Sequence, residues 1–345
     1  MNHSDSLKIG DQTFGPGDRG EVSLPIGSLI DYQPVTMNIQ VRRGKQEGPV
    51  LLLTAGIHGD ELVGVEVLRR LLKSRRLQSI RGSLVVVPVV CMPAFLARTR
   101  YLPDRRDLNR LFPGSRDGSL GGRLAATFAD EIVTKADYAI DFHTGASGRP
   151  NLPQIRISPG DERALELAKA FKPPVIMETS QRDGSLRSLF AKENIPSLLY
   201  EAGEAYRLDT AAVRYGLRGI FSVMQHLEML PPPRSVKEPR TRTVVASGTT
   251  WVRAPQGGIF TPLVDLGKGV TPSTKLGLVG DPFGRHETPV TSGIDGVVIG
   301  LNREATADEG DALFHIANFA ATAEKVEAHI QHSDNVLEEH TAPLE

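Results

Sequence analysis

"VLLLTAGIHGDELVGVEVLRRLL", residues 50 to 72, reads as a buried strand, a tight turn and a helix. Val50 to Leu53 form a short continuous apolar run of the kind found inside a sheet covered on both faces, and Gly48-Pro49 breaks the chain just ahead of it. The helix is expected to be capped by Asp60, with Glu61 in its first turn and Leu62, Val65, Leu68, Leu71 and Leu72 on its apolar face. The alternation continues downstream. "SLVVVPVV" (83 to 90), "YAIDFHTG" (138 to 145), "PVIMET" (174 to 179) and "SLLYEAG" (197 to 203) read as further strands. Helical patterns separate or follow them near 121 to 136, 161 to 171, 185 to 193 and 209 to 229. Strands alternating with helices predict an α/β fold, an open sheet with helices on both faces and ligands at the carboxyl ends of its strands.

Working outward, residues 1 to 44 contain alternating strand patterns ("EVSLPIGSL", "PVTMNIQVRRG"), and residues 45 to 230 hold the α/β pattern. "MLPPPRSVKEPR" then breaks it; three consecutive prolines make 231 to 240 a stiff linker. From 241 to 320 the chain is Gly-rich with short strand-like runs, a β-rich module with a weak internal echo between "APQGGIFTPLVDLGKGV" and "SGIDGVVIGLNREATADEG". Residues 321 to 345 are polar, a helical or loose tail.

Composition narrows the classes of function. A chain of 345 residues with 40% hydrophobic and 23% charged residues is ordinary for a globular protein that buries a large core. Forty Lys plus Arg against 41 Asp plus Glu give no general electrostatic attraction to nucleic acid or to an anionic membrane. A small-molecule substrate suits the chain better, and a homo-oligomer is compatible with it. The single Cys91 cannot form an internal disulfide and the first residues lack an apolar export signal, which predicts a cytoplasmic protein.

His58 and Glu61 are the first candidates for chemistry. A histidine in a strand-to-helix loop and a glutamate three residues on can converge on one metal ion, although such a pair alone is common on helix surfaces. A catalytic zinc site wants a third protein ligand and an open position. His143 is the histidine that shares this setting, ending the apolar run "YAIDFH" ahead of Thr144-Gly145. The other histidines, His315 included, read as bystanders. Glu201 in "LLYEAG" ends another strand, where a carboxylate is costly to bury without a partner or a task as general base. "ARTRYLPDRRDLNRLFPG" (97 to 114) carries five arginines; its apolar punctuation suggests that Asn109 and Arg110 are held by packing, ready to grip a carboxylate.

In their order and spacing, "GIHGDE", "DLNRLFPG", "DFHTG" and "YEAGE" resemble the succinylglutamate desuccinylase and aspartoacylase family of zinc hydrolases, relatives of the zinc carboxypeptidases. The resemblance implies one zinc per chain on His58, Glu61 and His143, Glu201 as general base, and Asn109 with Arg110 on the carboxylate of an N-acyl amino acid. It further implies Asp107 behind a ligand histidine and Arg100 polarising the scissile carbonyl, with Arg98 as a substitute because the spacing to Asn109 is longer here. The implied fold is a carboxypeptidase-like mixed sheet flanked by helices, followed by a small all-β domain. Residues 245 to 317 are similar to the barrel-sandwich folds of biotinyl and lipoyl carriers, but "GIDGVVIG" lacks the lysine that carrier function needs. A dicarboxylic acyl group would call for a further cation, for which Arg156 is placed by position; an acetyl group is slightly preferred. A zinc carboxypeptidase acting on small peptides and a non-enzymatic scaffold are the rival readings.

Overall fold

The computed structural model describes residues 6–232 and 243–339. Most of the expected linker, residues 233–240, and the end of the expected tail, residues 340–345, lie outside the described residues.

The core of the molecule is one mixed sheet. Its central strands, Gln46–Ala55, Tyr138–Gly145 and Ser197–Glu204, run parallel to one another, with Arg81–Val87 parallel to the first on its outer side. Strands Pro34–Arg43 and Arg19–Ser28 extend that edge in antiparallel fashion. The alternation inside the opening strand explains why helices cover both faces: Leu51, Leu53 and Ala55 join one apolar cluster, Val50 and Leu52 the other. Helices Val63–Lys73, Glu162–Phe171 and Thr210–His226 pack in the first cluster, and Leu120–Glu131 with Leu186–Lys192 in the second.

On the other side the sheet continues through Asn151–Ile157, antiparallel to Ser197–Glu204, into Gly296–Leu301, Ala312–Asn318 and Gly248–Arg253. Strands from the Gly-rich segment after residue 243 are thus hydrogen-bonded into the same sheet as the α/β strands. A separate four-stranded antiparallel sheet, with Glu287–Thr291, Lys275–Gly280, Gly258–Pro262 and Thr306–Ala307 in that order, packs on them. The mixed sheet flanked by helices and the C-terminal β architecture agree with the expected fold class. Beyond them, Ala323–Glu339 is helical. No helix among the described residues is long and apolar enough to cross a membrane.

Two local expectations need correction. The helix after His58 begins at Val63 with Leu62 at its N-cap position, so Asp60 does not cap it and Glu61 lies in the preceding loop. Its buried face is accordingly Val63, Gly64, Val67, Leu68 and Leu71, with Val65 and Leu72 only partly buried. The physical reason is contact with the sheet. A Cβ on Gly64 would come within 2.4 Å of Phe142 Cβ, so the first turn of the helix lies directly on the Tyr138–Gly145 strand.

Candidate active site

Strand ends place the chemistry. Ile140, Phe142, Leu198, Tyr200 and Ala202 point into one apolar cluster, which turns Asp141, His143 and Glu201 to the opposite face by the two-residue period of a strand. Glu201 lies directly beside His143 in the parallel register, so both groups reach the same end of the sheet. His58 arrives from the turn after Gln46–Ala55. That turn passes so close to the short helix Met92–Ala97 that a Cβ on Gly59 would meet the Ala94 carbonyl at 2.0 Å, and Gly59 N–H donates to Thr99 O at 2.9 Å. Glycine at 59 is therefore required for the turn to dock.

His58, Glu61 and His143 come together as the sequence predicts. Their candidate ligand atoms lie within 4.8 Å of one another, and the two imidazole centroids are 5.1 Å apart. Each ring turns Nδ1 to Glu61, His58 at 2.6 Å and His143 at 2.9 Å. Each turns Nε2 to an aspartate, His58 to Asp107 at 3.1 Å and His143 to Asp141 at 2.8 Å. Thr54 Oγ1 donates to Asp141 at 2.7 Å and Thr144 N–H to Glu61 at 3.0 Å, so both carboxylates are held from behind.

Electrostatics fit a divalent cation. Glu61 and Asp141 are buried and Asp107 is 14% exposed, and the nearby permanent cation is Arg100. Burial would push the His143 imidazole down, but Asp141 and Glu61 outweigh it and hold the group well above its ordinary value. His58 is raised in the same way: burial opposes, and Glu61 and Asp107 prevail. Burial would raise Glu61, yet the two imidazoles hold its carboxyl far below the usual range. Two imidazole nitrogens and a carboxylate, each ring backed by its own carboxylate, form a donor set that suits zinc and fixes the ring orientation.

Arg100, 34% exposed, bridges the group: its Nη2 donates to Asp107 at 2.9 Å, and its Nη1 lies 3.4 Å from Glu61. Arg98 is exposed and ends the Met92–Ala97 helix in a left-handed conformation (φ 53°), so it is Arg100 that reaches the cluster. Asp107 also accepts from Asn109 N–H, while Asn109 Oδ1 accepts from Leu186 N–H at 2.8 Å and is pinned to the start of the Leu186–Lys192 helix. Arg110 is exposed and donates to the Asn109 carbonyl. Glu201, 14% exposed, accepts from Asn151 Nδ2 at 2.9 Å and pairs with Arg156 at 3.5 Å. The cation expected at 156 therefore sits on Glu201. Buried Cys91, its thiol pushed up to about 11 mainly by burial, has no nucleophilic character.

Sequence reasoning missed Asp141 and Asn151. Asp141 left a signal, an acid two residues before His143 inside an apolar strand and so on the same face. Asn151 left none, because its approach to Glu201 depends on the antiparallel register. His315, read as a bystander, is buried and stacks on Trp251, with centroids 4.1 Å apart and planes at 3°. A cleft of about 650 Å³ opens past the same strand ends, lined by Ser147, Gly148, Glu204, Tyr206, Arg207 and Arg303 among others. Its walls come from both halves of the chain and do not include the histidine pair.

Comparison with known proteins finds relatives in sequence and in fold. The succinylglutamate desuccinylase/aspartoacylase catalytic domain matches residues 47–227. The N-alpha-acetyl-L-2,4-diaminobutyric acid deacetylase of Halomonas elongata is 30% identical over 295 residues, which cover 82% of this chain and 85% of that protein. The succinylglutamate desuccinylase of Burkholderia cenocepacia is 31% identical over 128 residues, 34% of this chain and 35% of its own length. Among solved structures, a succinylglutamate desuccinylase/aspartoacylase from Rhodobacter sphaeroides superposes with a TM-score of 0.78 at 27% identity, covering 88% of this chain and 95% of that one. The product-bound ectoine utilization protein EutE (DoeB) from Ruegeria pomeroyi shares the fold, with a TM-score of 0.80 at 24% identity over 92% of this chain and 100% of that one.

Proposed function

The chain belongs to the succinylglutamate desuccinylase/aspartoacylase family, and from that premise we propose that it is a zinc-dependent hydrolase of the amide bond in an N-acyl amino acid. The observation that carries the reading is the pair of aspartate-backed imidazoles turned onto Glu61, with Glu201 on the adjoining strand beside His143. One zinc ion on His58, Glu61 and His143 would supply Lewis acidity, acidifying a water molecule and polarising the amide carbonyl.

The chain's own residues then have distinct tasks. Glu201 is the general base: its carboxylate takes the proton from the attacking water and returns it to the leaving amine nitrogen. Asn151 and Arg156 hold that carboxylate in place through one oxygen each. Arg100, already anchored on Asp107, presents its guanidinium to the developing oxyanion, a contribution of about 3 to 4 kcal/mol for a donor of this kind. Asn109, with its carbonyl oxygen committed to Leu186, keeps its amide N–H₂ for the substrate α-carboxylate, next to Arg110. Asp107 and Asp141 orient the two imidazoles. Acetyl is our assignment for the acyl group, since the relative that covers most of both chains removes it.

The reading is tested on the purified protein by zinc analysis and by hydrolysis of acetyl, succinyl and formyl amino acids. Glu201→Gln is expected to keep zinc and lose at least ~100-fold in kcat, the usual scale for a general base, whereas His143→Ala loses both zinc and turnover. Full activity in Glu201→Gln would remove it from the role of base. Hydrolysis of dipeptides without hydrolysis of acyl amino acids would make the protein a carboxypeptidase instead.

A further inference from the structure

A second cleft lies far from the histidine pair. It has a volume of about 270 Å³ and is lined by five cationic side chains, Arg19, Arg42, Arg43, Lys73 and Arg75, and by one acid, Asp18. Arg42 and Arg43 pair with Leu84 and Ser83 at the start of the Arg81–Val87 strand, whose far end runs beside Thr54 just ahead of the turn that carries His58. The cleft therefore sits at the opposite end of the sheet from the candidate active site. The chain as a whole has a net charge of -1, so this excess of positive charge is local.

Strand register builds the excess. Arg19 and Arg42 are directly opposite each other on strands Arg19–Ser28 and Pro34–Arg43, and Arg42 is opposite Leu84 on the next strand. Leu84 belongs to the apolar cluster that includes helix Val63–Lys73, whereas Val41 joins the other cluster. Both arginines therefore stand at the sheet edge on the face covered by that helix. The helix ends in Lys73, and Arg75 follows at the start of the short turn Arg75–Ser79. Like charges facing each other across a ladder repel, which costs stability unless a group of opposite charge lies between them.

The chain supplies no such group. Among the described residues, Arg19, Arg42, Lys73 and Arg75 have no acidic partner. Asp18 accepts from Gly15 N–H at 2.7 Å, and Glu21 and Gln40, next on the same face, bond to each other at 2.7 Å. Arg43 donates to the Phe14 carbonyl at 3.1 Å, which fixes its guanidinium at the cleft wall. A cation in the last turn of a helix complements the negative end of the macrodipole, and this accounts for Lys73. It does not account for the two arginines of the sheet.

We propose that this cleft binds a small polyanion, a molecule with two or more phosphate or carboxylate groups held between Arg19 and Arg42 of the sheet and Lys73 at the helix end. The cleft's volume suits a compact molecule, and the arginine fork takes the paired oxygens of either group. The site is separate from the candidate active site, and the inference depends neither on the reaction nor on a metal.

Calorimetric titration of the purified protein with inorganic pyrophosphate and with citrate, at low and at high salt, tests the site. Saturable binding that weakens with salt is expected, and the tighter of the two ions identifies phosphate or carboxylate as the group recognised. In Arg42→Gln and in Lys73→Gln that binding falls at least about tenfold. Both ions can also chelate a metal or contact the arginines near His58, but a signal of that origin persists in these variants. Binding unchanged in both variants, or absent from the wild type, overturns the proposal. A second measurement needs no ligand. Because Arg19→Gln removes a repulsion, it is expected to unfold in low-salt buffer at the wild-type temperature or above, and to lose the stabilisation that the bound ion gives the wild type. A lower unfolding temperature without ligand would mean that Arg19 has a structural role in place of a binding one, and would overturn the site as well.

Discussion

Single residues at the site are determined by what stands behind them. His58 and His143 would be two flexible imidazoles in a loop and at a strand end were Asp107 and Asp141 not bonded to their far nitrogens. Asp141 is itself held by Thr54 from the next strand, so the orientation of His143 is set two contacts away from any metal. Asp141→Ala is therefore expected to leave the fold intact and weaken zinc affinity about 10- to 100-fold, measured by competition with a chelator. Affinity equal to wild type would mean that the strand alone orients the ring. At this scale the sequence was informative: His58, Glu61 and His143 were legible from their strand-end settings. The partners of Glu201 were not, because Asn151 and Arg156 reach it through strand register, a property of no single residue.

Elements are positioned by close approach. The helix Val63–Lys73 begins two residues later than cap chemistry suggests, because its first turn rests on Phe142 through Gly64. Glu61 thereby stays in the loop, where its carboxylate can face both imidazoles. Gly64→Val would push the helix off the His143 strand. The expected cost is about 1 to 3 kcal/mol, the usual range for overpacking a tight contact, read from urea denaturation, with a parallel fall in bound zinc. A stable variant with full zinc would show that Glu61 is placed independently of the helix. Helical periodicity found this element and most of its neighbours, but it misjudged the buried face. A helix face is chosen by the surface it lies on, and the pattern Val63, Val67, Leu68, Leu71 fits the sheet as well as the expected one fits a helical wheel.

At the scale of the whole molecule, the main sheet runs without interruption from Arg19–Ser28 to Gly248–Arg253. The Gly-rich C-terminal segment, which composition sets apart, contributes three consecutive strands to the sheet that carries the candidate site, and Gly300 pairs with Asn151 next to Glu201. Cooperative unfolding of the two halves follows. The only tryptophan, Trp251, lies in the C-terminal part, so its fluorescence reports on that part while far-UV circular dichroism reports on the whole chain. The two thermal transitions are expected to coincide, whereas a fluorescence change well separated from the loss of ellipticity would show that the halves unfold independently.

By itself the sequence determined the alternation of strands and helices and picked out the two imidazoles, His58 and His143, that gather around Glu61. Periodicity and strand-end position are local properties, and they survive in the linear text. Only the tertiary structure decided which strands are neighbours. Because hydrogen-bonded register can join residues 151, 156 and 201 from distant parts of the chain, the surroundings of Glu201 could be seen only once the sheet was assembled.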